Sequence, residues 1–254
     1  MLMPLLSAAD PAESSEGTID PLGLYPLADE LGVLLVPGVR ERQSHPRFLT
    51  LMAVSMAVCQ DFPEDTVARD GTSEPWLVFE WHLVEGLVRA TAAEDAKMLV
   101  GLPGSQKAAR AIGETMPLSA KRYLKTPSVF GFHGIYRLLA RTLGIERQGR
   151  LWEQGAQLLR VWSEEQRLPG FFSSSGDTGR EWRRRMTSAV KDGLEAGRVD
   201  RPSGWNGWSF FRDHLSVYGA GRHEAWHGTS DSDRLLSQYR GPFCYIAQST
   251  FKRP

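Results

Sequence analysis

Apolar residues recur at helical spacing through most of this chain, and that pattern alone predicts a mainly α fold with little strand. Leu24, Leu27, Leu31, Leu34 and Leu35 set a first helix, ended by Pro37-Gly38. Ser44-His45-Pro46 opens a second, running to about Gln60; it is apolar on nearly every side, which predicts a helix at the centre of the core. Ser73-Glu74-Pro75 opens a third. Residues 76–84 carry enough aromatic and β-branched side chains to suit a strand, but Glu85-Gly86-Leu87-Val88-Arg89-Ala90 continues the helical period, so helix is the better fit. His82 and Glu85 then read as a surface pair at helical spacing rather than a catalytic dyad.

The second half repeats the pattern. Leu151, Trp152, Leu158, Leu159 and Trp162 form a stripe closed by Leu168-Pro169-Gly170. Thr178 is placed to cap a helix in which Trp182, Met186, Ala189, Val190 and Leu194 share one face, with Arg183, Arg184, Lys191 and Glu195 mostly off it and Gly197 as the stop. Asn206 can cap a helix carrying Trp208, Phe211 and Leu215, and core roles suit Trp205 and Trp208 better than exposure does. Phe243-Cys244-Tyr245-Ile246 has strand character but no partner strand, and the chain stops soon after at Pro254, as the front part of a longer polypeptide would.

One stretch combines pattern with charge. Leu118-Ser119-Ala120-Lys121-Arg122-Tyr123-Leu124 reads as a short helix, residues 125–132 as a turn, and residues 133–143 as a second helix stopped by Gly144. The expected architecture is therefore a multi-helix globular bundle with a helix-turn-helix or winged-helix-like part. Arg137 and Arg141, four apart on one face, could reach phosphates or guanine edges together, with Lys121, Arg122 and Lys125 nearby. The alternative is an αα-corner that packs Ile135, Leu138, Leu139 and Leu143 inward and leaves the arginines in water.

Charge distribution bears on the same stretch. Formal net charge is zero, yet residues 1–100 hold 6 basic against 16 acidic side chains and residues 101–150 hold 9 against 2. The chain accordingly divides into a disordered leader (1–20), an acidic helical part (21–100) and a basic-to-neutral helical part (101–254). A basic middle permits an anionic partner such as DNA; alternatively the acidic and basic parts face one another. With 41% hydrophobic residues, 254 positions suffice to bury a sizeable core. Cys59 lies in an apolar run far from Cys244, which suits a reduced thiol and a cytoplasmic setting. The opening residues lack a basic n-region, and the longest apolar stretch, 48–59, is too short to span a membrane.

The motif His223-Glu224-Ala225-Trp226-His227 matches H-E-x-x-H, which on a helix lets two imidazoles bind Zn²⁺ while the glutamate acts as base on a metal-bound water. Asp233 stands where a third ligand would fall. Glycines at 219, 221 and 228 flank the pentad, and no glutamate follows Glu224, so a solvated loop is the competing reading.

Asp20-Pro21-Leu22-Gly23-Leu24, Leu34-Leu35-Val36-Pro37-Gly38, Arg42 and Pro46-Arg47-Phe48-Leu49 resemble the opening of an uncharacterised group of bacterial proteins that occur beside phage-defence and DNA-processing genes, with departures at Val36 and Arg40. The run Thr126-Pro127-Ser128-Val129-Phe130-Gly131-Phe132-His133-Gly134 is similar to that group as well. The resemblance covers about the first 60 residues and implies a setting rather than a mechanism. Three readings follow: a non-enzymatic component of such a system, acting through protein partners and nucleic acid with no cofactor and no membrane; a zinc hydrolase built on the pentad; or a scaffolding protein whose eight tryptophans serve a core and an oligomer interface.

Overall fold

A computed structural model describes residues 24–35, 38–39, 42–43, 45–91, 99, 101–172 and 175–216. They are mainly helical, as the periodicity predicts, and the helices divide between two units, residues 1–40 and 41–254. In the first unit, α1 (Leu24–Leu35) carries its leucines at the predicted positions, where they are exposed.

The second unit is built around α2 (Arg47–Cys59). Every residue from Phe48 to Val58 is buried, which an all-round apolar sequence requires. Helices α3 (Pro75–Ala90), α6 (Phe132–Thr142), α7 (Glu153–Glu165) and α8 (Thr178–Ala196) pack around it. Helix α3 also packs on α4 (Ser105–Gly113), so the change of charge near residue 100 falls inside one packed body. Pro75 occupies the first turn of α3, where its missing N–H costs nothing. The preceding loop is tied by Asp70, which accepts from the Thr72 and Ser73 backbone and the Ser73 hydroxyl.

Residues 118–124, expected as a helix, form turns instead. Their backbone is engaged elsewhere: the Leu118 carbonyl accepts from the Val199 N–H at 2.8 Å, and Ser119 pairs with Arg198 as an isolated bridge. Helix begins only at Pro127, as the four-residue α5 (Pro127–Phe130), and restarts after Gly131 as α6. The expected helix-turn-helix is therefore absent from residues 118–143. Helix α6 buries Phe132, His133, Tyr136 and Leu139 and leaves Leu138 about half exposed, so the inward face differs from the αα-corner expectation at Leu138. Gly144 ends it at φ 70°.

A tight hairpin follows, β1 (Glu146–Arg147) paired antiparallel with β2 (Arg150–Leu151). Gln148 and Gly149 both take positive φ, the requirement of a two-residue turn that matches strand twist. The last described segment is α9 (Trp208–Phe210) running into a π-helical turn, Phe211–Leu215. Phe211 crosses α3 at Gly86, where a Cβ would come within 2.4 Å of the ring, so only glycine fits. The His214 carbonyl, freed by the wider turn, accepts from Arg47 Nη2 at 3.0 Å and Trp162 Nε1 at 3.1 Å.

Candidate functional site

Among the described residues of the second unit, three carboxylates are buried, and each has its own partners. Glu80, fully buried on α3, reaches the N-terminus of α6: Oε1 accepts from the Phe132 N–H at 2.9 Å and the Tyr123 hydroxyl at 2.6 Å, and Oε2 from the His133 N–H at 3.1 Å. A negative group there satisfies orphan amides and faces the positive end of the helix. Burial and the Glu80 charge together hold the Tyr123 hydroxyl well above the ordinary phenol range, so it remains a donor. Glu146 accepts from the Gly149 N–H and from Arg141 Nε, both at 2.6 Å, and lies 3.7 Å from Arg137 Nε. Glu85 pairs with Arg89 one turn on; burial raises its pKa, and the arginine acts against that rise.

His82 and Glu85 are thus not a surface pair. The hydrophobic faces around α3 enclose both, and the His82 ring packs near Trp205 and stacks on Trp208, which is itself buried. Burial pushes the His82 pKa down to about 4, against a raising hydrogen bond to the Val78 carbonyl.

The cationic residues singled out by sequence fall in two places. Lys121, Arg122 and Lys125 are exposed in the turns before α5. Arg137 and Arg141 stand on the outer face of α6, about half exposed, and converge on the Glu146 carboxylate. They therefore share an anionic partner within the protein. The pentad 223–227 and Asp233 lie outside the described residues, as do residues 243–246. Among the described residues no three His, Cys, Asp or Glu side chains gather as a metal would require, and no helix is long and apolar enough to cross a membrane.

Among the described residues, long-range packing forms a cleft and a groove. The larger, about 810 Å³, lies between the end of α2, the start of α3, α6 and the hairpin; Trp76, His133, Arg137, Glu64, Glu74 and Ser128 are among its lining residues. His133 is 8% exposed, and its ring packs on Trp76 with centroids 4.9 Å apart. Nδ1 is sealed and faces Glu80 Oε2 at 3.5 Å, and His133 is among the residues lining the cleft. Cys59, a half-buried free thiol, lies at the same cleft; burial pushes its pKa up to about 12, with a Ser55 hydrogen bond opposing and the Asp61 charge reinforcing.

The second concavity, an open groove of about 540 Å³, runs along α8. Arg180, Arg183, Arg184 and Lys191 line it against one carboxylate, Asp61. Asp61 and Phe62 border both concavities, so the two adjoin. Arg183 donates to both Asp61 oxygens, at 3.0 and 3.1 Å, and Arg184 pairs with Glu181. The sequence pattern put these arginines in solvent without marking them as a site. The available signal was the spacing 180, 184, 191 on one helical stripe. The chain matches no known family model, no curated protein and no solved structure.

Proposed function

We propose that this protein is a non-enzymatic helical component that binds nucleic acid, working with protein partners in the kind of bacterial defence or DNA-processing setting that the resemblance of its opening motifs implies. The observation that carries the reading is the α8 groove: four cations on one helix border a concave surface, and the carboxylates they pair with, Asp177 for Arg180, Asp61 for Arg183 and Glu181 for Arg184, are about half or more exposed, so these pairs give way to a phosphate at little cost. Clustered guanidinium and ammonium groups gain Coulomb energy and release counterions on meeting phosphates. Arg137 and Arg141 contribute less in this reading, because Glu146 already neutralises part of their charge.

The test is anisotropy of labelled single-stranded and duplex DNA over a salt series. The triple variant Arg180→Gln, Arg184→Gln, Lys191→Gln is expected to weaken binding and to reduce the log–log salt slope by about 3, close to one unit per lost phosphate contact. Binding that ignores salt, or that the triple variant leaves unchanged, overturns the reading.

A further inference from the structure

The α8 groove ends at Asp61 and Phe62, where the larger cleft begins, and the two concavities differ in chemistry. The groove is cationic. The cleft carries acceptors: Glu64 and Glu74 are among its lining residues, Glu64 paired with Arg150 and Glu74 accepting through Oε2 from Trp76 Nε1, and His133 lines it as well. Trp76, half buried and packed on His133, supplies an aromatic wall. Arg137 and Arg150 line the cleft too, but each already faces a carboxylate, Glu146 at 3.7 Å and Glu64 at 2.5 Å, which weakens their hold on a phosphate. A flat group bearing N–H donors would be well placed, since carboxylates accept from it and the indole offers a stacking surface. The volume, about 810 Å³, is that of a small-molecule site.

We infer that the cleft receives an unpaired base carrying an exocyclic amine, from a single strand whose phosphates lie along α8. The assignment rests on the nucleic-acid reading above and adds base selection to it. Cytosine and thymine separate the two. They stack alike, but cytosine presents an amine donor where thymine presents a carbonyl. Glu64 is paired with Arg150 at 2.5 Å, both largely exposed, and such a pair opens at little cost when a base enters.

The experiment compares oligo-dC with oligo-dT of equal length on the full chain, by competition anisotropy. The wild-type protein is expected to bind oligo-dC roughly tenfold tighter. Trp76→Leu, and separately the exposed Glu74→Gln with Glu64→Gln, should erase that preference while keeping the salt slope; the second variant guards against a fold defect in the first. Equal affinity for the two oligomers, or a preference that survives both variants, overturns the cleft assignment and leaves the groove standing. Failure of every strand to bind overturns both.

Discussion

The carboxylate of Glu80 meets His133 twice: Oε2 accepts from the His133 backbone N–H at 3.1 Å and lies 3.5 Å from Nδ1 of the same residue's ring. A single side chain on α3 therefore fixes both the start of α6 and the way its first imidazole faces. Glu80→Ala should remove the partner of three buried donors, Tyr123 Oη and the Phe132 and His133 amides, and destabilise the protein by about 3 kcal/mol or more. Tyr123→Phe should cost about 1.5–3 kcal/mol, one hydrogen bond to a charged group. Urea denaturation measures both, and a Glu80→Ala loss below about 1 kcal/mol would contradict the arrangement.

Gly131 and Gly113 should respond in opposite directions to the same substitution. A Cβ at Gly131 would stand 2.4 Å from Glu80 Oε1 and 2.5 Å from the Pro127 carbonyl, whereas one at Gly113 would meet nothing within 4 Å. Gly131→Ala should lower Tm by displacing α5 or the Glu80 carboxylate. Gly113→Ala, at the end of α4, should add about 0.5–1 kcal/mol through helix propensity. Thermal melts that rank the pair the other way would refute the close approach.

The buried His82 makes stability depend on pH. Its folded pKa, about 4, is below the unfolded value of 6.5, so the unfolded chain takes up a proton first as pH falls. The contribution is complete above pH 6.5 and is lost between there and about 4; the whole effect is about 3 kcal/mol. Urea unfolding at stepped pH should show that slope, and His82→Phe should flatten it in this window.

Cys59 should behave as an inert thiol. With its pKa near 12, its thiolate fraction at pH 8 is on the order of a thousandfold below that of a free cysteine. In a Cys244→Ser background, reaction with Ellman's reagent should be correspondingly slow until denaturant is added. Labelling of the native protein as fast as glutathione would show that the thiol is not held in this way.

Arg137→Ala with Arg141→Ala should act mainly on stability. Both guanidinium groups serve a carboxylate that is 3% exposed, and Gly149 alone would remain as its partner. A loss of about 1–2 kcal/mol is expected, reduced from the fully buried case because the arginines are half in water. Chemical denaturation beside DNA-binding assays separates this loss from a contact role.

Elements whose periodicity is carried by their own residues were legible in the sequence: the all-apolar α2, the continued period of α3, and the stripes of α7 and α8. Residues 118–124 were not, because Leu118 and Ser119 pair with residues about eighty positions away and no local pattern records that. The hairpin was missed although Gly149 is a turn residue, since Gln-Gly is no standard hairpin dipeptide and two-residue strands leave no alternation to detect. Glu80 lies 52 residues from Phe132, and the carboxylates and aromatics of the cleft arrive on four separate segments. The basic excess of residues 101–150 marked charge correctly but not its pairing with Glu146. The strongest chemical motif, the pentad at 223–227, falls outside the described residues.

The His214 carbonyl, held by Arg47 and Trp162, closes the second unit by joining nearly its last described turn to the first residue of its central helix. During synthesis that clasp cannot form until the segment around 208–215 has left the ribosome. Until then α3 lacks the Phe211 ring that covers Gly86, and the core stays open along one side. Nascent chains halted before residue 208 should therefore remain sensitive to protease, and those released beyond residue 216 should acquire resistance in one step.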